Sequence, residues 1–186
     1  MISVEAAQEL LEQEVETDAL RKHMLAVAAI MSALAAKLGV TEEEKEQWTL
    51  VGLLHDLDYE RTKDEFEQHG LMTAEMLTGK LPDACLDAIR AHNKMTGYEP
   101  ESAMAKALVA ADAVSGLILP TALMMPSRKL VDVRPKSLTK KFKDKSFART
   151  VSRSHILICQ ELGLERNDFF ALALDALLPL SDDLGV

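Results

Sequence analysis

Apolar residues recur at three- and four-residue steps along most of this chain, and no run alternates as a strand would. Leu20, Met24, Val27, Ile30, Met31 and Leu34 mark one face of a helix that Thr17 and Asp18 open and Gly39 stops. Thr41 followed by Glu44 has the capping-box pattern, which predicts a second helix carrying Trp48, Val51, Leu54 and His55 toward the core and ending near Asp58. The charged stretch 59–67 reads as a linker. Helical periodicity resumes over 69–77 and closes at Gly79, and Pro82 suits the first turn of a helix that reaches His92 before Asn93 and Gly97 break it.

Ser102 begins the most apolar helix, with Met104, Leu108, Ala111, Asp112 and Ser115, and Pro120 is expected to kink or end it. Beyond it come a basic connection over 128–145, with a short helix after Ser137, and two more helices. These are expected over 146–162, ended by Gly163, and over 168–178, capped by Asn167. An all-α helical bundle follows. Its 186 residues suit one domain, with a core at about 17–125 and the basic segment and last helices over 126–186.

Composition agrees with that picture, because an aromatic share of 4% beside abundant Ala, Leu and Met favours close helix packing over pleated sheets. The acidic, amphipathic N-terminus does not read as a signal peptide. The most apolar segment, 103–125, is interrupted by Lys106, Asp112 and Pro120, so no stretch is expected to approach a membrane span. A cytoplasmic protein with no membrane contact is the expectation, and Cys85 and Cys159, lacking paired zinc-ligand spacing, read as buried reduced thiols.

The net charge of −9 argues against general nucleic-acid binding, but its distribution is uneven. Ten Lys or Arg against two Asp give 126–153 a balance of +8, leaving −17 on the rest. Such an island is either a solvated face or an attractor for a phosphate-bearing substrate at its edge.

Four of the five histidines fall between 23 and 92, each at or near an expected helix end. Imidazole nitrogen and aspartate oxygen together suit Mn, Fe, Co, Ni or Zn. Neighbours such as His55 and Asp56 diverge by about 100 degrees within a helix, yet at a helix end both can face one ion. Taken singly, His23 or His69 could be a surface residue, and Asp112 could hydrogen-bond a neighbouring helix end. As an ordered set they read His23, then His55-Asp56, then His69, then His92, then Asp112.

That order, in LRKHMLAVAAIM, LVGLLHDLDYE, EQHGLMTAEML, LDAIRAHN and LVAADAVSGLI, resembles the HD-domain metal-dependent phosphohydrolases over about residues 20 to 118. The arrangement of the whole chain, through RPKSLTKKFKDKSFA, is similar to an uncharacterised bacterial HDIG-like branch of predicted hydrolases. The resemblance implies a helical bundle holding one or two divalent transition-metal ions. His23, His55, Asp56 and Asp112 would hold the first, and Asp56 would bridge to a second that also uses His69 and His92. Members that cleave cyclic dinucleotides have a lysine soon after the His-Asp pair and a further histidine after the fourth one. Here Asp58 and Tyr59 follow Asp56, Asn93 follows His92, and GYEP at 97–100 only echoes that subgroup, so cyclic dinucleotides are a poor match and the second metal has fewer ligands.

The implied reaction is hydrolysis of a nucleotide or small phosphomonoester by a metal-activated water, with Asp56 and His55 as the catalytic pair and Asp56 orienting the water. Candidate phosphate contacts are Arg61, Lys63, Lys94 and, in the island, Lys141, Lys143, Lys145 and Arg149. His155 stands outside the pattern and reads as structural or near the surface. Two other functions stay open: a di-iron oxygenase using the same six residues, and a non-catalytic metal or nucleotide sensor. The apolar first and last helices leave room for a homo-oligomer.

Overall fold

Two long helices organise the molecule because they carry the most continuous apolar surface. The computed structural model describes residues 1–186 and contains ten α-helices and no strand. They are α1 (Val4–Glu14), α2 (Asp18–Leu38), α3 (Glu42–Leu54), α4 (Leu71–Met76), α5 (Asp83–His92), α6 (Ala103–Leu123), α7 (Pro135–Lys143), α8 (Arg153–Leu157), α9 (Arg166–Leu177) and α10 (Ser181–Leu184). Helix α2 packs against α3, α6 and α9, while α6 is also covered by α5, α7 and α8. One contiguous apolar cluster of 47 buried residues runs from Ala7 to Leu184, and α1 and α9 bury their apolar faces in it.

The ends follow local chemistry. Gly39 takes φ 71 to close α2, and Thr41 accepts the Glu44 N–H while the Glu44 carboxylate returns a bond to Thr41, completing the capping box of α3. Gly52 lies in the last turn of α3, where a Cβ would stand 2.8 Å from Ala28 Cα and 2.9 Å from Ala28 N, so α2 and α3 approach backbone to backbone. That contact aligns the helices that bear His23 and His55.

Three expectations need correction and one is narrowed. Pro120, expected to kink or end α6, does not end it, since the helix continues to Leu123. With 21 residues each, α2 and α6 are long and apolar enough to cross a membrane by length and composition, contrary to the expectation that no stretch approaches a span. Both instead pack within the core, and 67% of the most apolar window of α6 is buried. The helix expected over 146–162 begins only at Arg153, capped by Ser152, and tightens to a 3-10 turn over Ile158–Leu162 before Gly163. Finally, α9 starts at Arg166 with Glu165, not Asn167, at its N-cap, because Asn167 accepts from Thr139 of α7 instead. Cys85 and Cys159 are both buried free thiols.

Candidate metal centre

All six histidine and aspartate residues picked out by their order meet at the base of one cavity. His23 comes from the second turn of α2, His55 caps the C-terminus of α3 with Asp56 in the turn after it, and His69 immediately precedes α4. His92 is the last residue of α5 and Asp112 lies midway along α6. Asp56 is the focus: its Oδ1 is 3.3 Å from Nε2 of His55, 3.3 Å from Nε2 of His69 and 3.3 Å from Nε2 of His92. Its Oδ2 is 3.6 Å from His23 Nε2, which lies 3.2 Å from Asp112 Oδ1. Ligand atoms of His23, His55 and Asp112, and again of His55, Asp56 and His92, lie within 4.8 Å of one another.

The outer hydrogen bonds fix which ring nitrogen carries the proton. His55 Nδ1 is 3.0 Å from the Gly52 carbonyl and His92 Nδ1 is 2.5 Å from the Ile89 carbonyl. Carbonyls only accept, so both Nδ1 atoms carry hydrogen. His69 Nδ1 donates to Asp58 Oδ1 at 2.7 Å. Ser115 gives its hydroxyl proton to the Asp112 carbonyl at 2.9 Å, which leaves its oxygen to accept from His23 Nδ1, also at 2.9 Å. In neutral rings, all four Nε2 atoms therefore present lone pairs inward. His69 Nε2 and His92 Nε2 stand only 3.0 Å apart, and His55 Nε2 is buried with no partner at all. Facing lone pairs at that separation repel unless a cation or proton lies among them. This donor set, four imidazoles with two carboxylates and a hydrogen-bonded outer shell, fits a divalent transition metal.

Electrostatics tell the same story. Burial pushes the His55 pKa down to about 4, overriding Asp56. Burial opposes charge at Asp56 too, but His55, His69 and His92 hold its carboxyl well below the usual range. At His69 burial is outweighed by hydrogen bonds to Asp56 and Asp58, and the pKa rises to about 9. In protein stripped of metal, a second proton on His69 would thus fill the centre in place of a cation.

Two supporting residues were invisible as such in the sequence. Asp58, expected only as a helix end, is fully buried, and its Oδ2 accepts the Gly70 and Thr73 N–H groups at 2.8 Å each, so it orients His69 while anchoring the start of α4. Gly70 has φ 88, and a Cβ there would stand 2.9 Å from the Ile89 carbonyl and 3.1 Å from the His92 ring. Asn93, standing where a further histidine is missing, donates to the carbonyls of Phe66 and His69 and ties α5 to that segment.

The cavity above the centre measures about 820 Å³. Lys63 and Lys94 line it, with Tyr59, Glu60 and Phe66 on one side. Arg61 does not line it, because its guanidinium pairs with Glu14. Nor do Lys141, Lys143, Lys145 and Arg149: only Leu138 of α7 is buried and its basic face turns to solvent, with Lys141 set over the Phe147 ring at 4.1 Å. His155, expected to be structural or superficial, is in the cavity wall together with Thr150, Val151 and Ser152.

A family model for the HD domain matches residues 20–117, just over half of the chain, while no curated protein and no solved structure gives a significant match. The matched region holds all six residues of the centre as well as Asp58, Gly70 and Ser115, and on that match the chain belongs to the HD domain family.

Proposed function

We propose that this protein is a metal-dependent phosphohydrolase that cleaves a nucleotide or small phosphomonoester with an activated water. The observation that carries the reading is the convergence of four inward-facing Nε2 atoms on Asp56 at the base of an 820 Å³ cavity. His23, His55, Asp56 and Asp112 would hold one divalent ion, and His69 and His92 with Asp56 a second. When bound, such an ion supplies Lewis acidity and a water whose pKa falls from 15.7 toward about 7.

The remaining chemistry belongs to the chain. Asp56, kept ionised, accepts a hydrogen bond from the attacking water and turns its oxygen toward phosphorus. His55, its Nδ1 held by the Gly52 carbonyl, turns its Nε2 lone pair inward beside Asp56 and completes the donor set on which Asp56 depends. Lys63 and Lys94 offset charge on the phosphoryl oxygens. Water's oxygen bonds to phosphorus as the ester P–O bond breaks, and the departing alkoxide takes up the proton that the water gives up, leaving as the alcohol. Neither buried cysteine is needed as a nucleophile. We read the whole chain as one unit acting in the cytoplasm on a small phosphorylated compound, without general nucleic-acid or membrane binding.

The deciding experiment is element-resolved metal analysis of protein purified without chelators, followed by a screen of nucleotides and phosphomonoesters with the metal found. Phosphate release stimulated by Mn, Co or Ni is expected. Asp56→Ala should lower metal content at least about tenfold and abolish turnover. Two irons with oxygen uptake, a tight nucleotide complex without turnover, or an Asp56→Ala variant that keeps its metal would each overturn the reading.

A further inference from the structure

Part of the cavity wall is contributed by Thr150, Val151, Ser152 and His155, all beyond residue 117, where the family match stops. The backbone leading into it is gathered by one side chain. The Arg153 guanidinium donates to the carbonyls of Lys141 (3.3 Å), Phe142 (3.3 Å), Asp144 (3.1 Å), Phe147 (2.6 Å), Ala148 (2.9 Å) and Val151 (3.0 Å). A guanidinium fork suits this role and an ammonium does not. Ala148 sits in the left-handed region at φ 43, a conformation unfavourable for a non-glycine residue that persists only where its surroundings impose it.

The wall is also seated on the metal-bearing helix. Gly116, one turn beyond Asp112 on α6, leaves room for Val151, whose Cγ2 would stand 2.9 Å from a Cβ at that position. Ser152 caps α8 by accepting the His155 N–H, which fixes the first turn from which the imidazole extends. That imidazole forms no hydrogen bond with another protein group, and the ionisable groups acting on it are Asp112, Lys94 and His92. A polar ring held in a cavity wall, unpartnered and beside the phosphate end, is placed to meet a ligand. The cavity is of the size that takes a ligand of many atoms rather than a phosphate ion alone.

We propose that Thr150, Ser152 and His155 form the leaving-group wall of this site, with His155 hydrogen-bonding the hydroxylated alcohol part of a phosphoester whose phosphate lies at the His/Asp centre, and with Arg153 as the positioning residue. The inference rests on the phosphohydrolase reading and deepens it by assigning substrate choice to residues outside the family region. A site that pairs with a substrate hydroxyl discriminates strongly against compounds lacking it. The selected compounds are therefore esters of polar, hydroxyl-bearing alcohols.

The test is calorimetric binding to metal-loaded protein of inorganic phosphate and of the phosphonate analogues of phenyl phosphate, glycerol 3-phosphate and AMP, in which a carbon replaces the ester oxygen so that no bond is cleaved during the titration. In wild type, at least one hydroxylated analogue binds at least about tenfold more tightly than phosphate, the worth of one or two good hydrogen bonds. His155→Ala removes most of that advantage, His155→Gln restores part of it, and Arg153→Lys weakens the same analogue. Phosphate affinity and metal content stay within about twofold in all three variants. Parallel loss of phosphate and analogue, no loss of either, or no analogue outcompeting phosphate in wild type overturns the inference and leaves the phosphohydrolase reading standing. Failure of phosphate itself to bind wild type overturns both.

Discussion

The two halves of the His/Asp centre are built differently. His55, His69 and His92 are buried, and their outer nitrogens rest on the Gly52 carbonyl, on Asp58 and on the Ile89 carbonyl. His23 and Asp112 have side chains 21% and 35% exposed toward the cavity, and His23 leans on a single hydroxyl, that of Ser115. Backbone carbonyls and a buried carboxylate do not rotate away, whereas a serine hydroxyl can. On the proposed reading, the buried half would hold its ligands rigidly, and the open half would leave an ion bound there reachable from the cavity.

The largest effect expected from breaking this asymmetry is at Asp58. Asp58→Ala strips His69 of its acceptor and leaves the Gly70 and Thr73 N–H groups buried and unpaired, so metal affinity should fall 10- to 100-fold, with about 3 kcal/mol of stability lost in a chemical melt. Gly70→Ala comes next: its positive φ and the approach of the Ile89 carbonyl and His92 ring should cost about 2 kcal/mol and weaken metal binding, read from the same melt and a metal titration. Ser115→Ala, confined to the open half, should lower metal affinity only about threefold. An equal response at Ser115 and Asp58 would erase the distinction.

A pH series sharpens the comparison within the buried half. In metal-stripped protein the depressed pKa of His55, about 4, makes it contribute stability above its ordinary 6.5 that is lost as pH falls toward 4. The raised pKa of His69, about 9, contributes stability below 6.5 that is lost as pH rises through 9. Thermal melts of stripped protein should therefore peak near pH 6.5 and decline on both sides. Loading the metal should flatten the alkaline side, because the cation then does the work of the His69 proton, and binding at pH 7 to 8 should release about one proton.

The helical architecture was legible because each element repeats its apolar residues at helical spacing, and the six-residue centre because its members stand in a fixed order along the chain, four of them histidines at or near helix ends. The family's ligand order could be read without knowing any distance. Asp58 was not legible, since its role depends on Gly70 and Thr73, twelve and fifteen residues away, meeting its carboxylate. The basic island stayed open between a solvated face and a phosphate attractor for a related reason: charge along the chain says nothing about which face a helix turns to solvent, and α7 buries Leu138 while Lys136, Lys140 and Lys143 are exposed. His155 was read as structural or near the surface, and its place in the cavity wall could not be read because the segment leading into α8 follows an irregular path around Arg153 rather than a periodic pattern.

Gly52 joins two roles in one peptide unit. Its missing side chain lets the backbone of α2 come up against α3, and its carbonyl sets the ring of His55. A small slide of one long rod along the other would consequently retune coordination directly, with no loop or linker in between. The setting of this centre is therefore decided in part at the seam between those rods, where the Gly52 carbonyl meets the His55 ring.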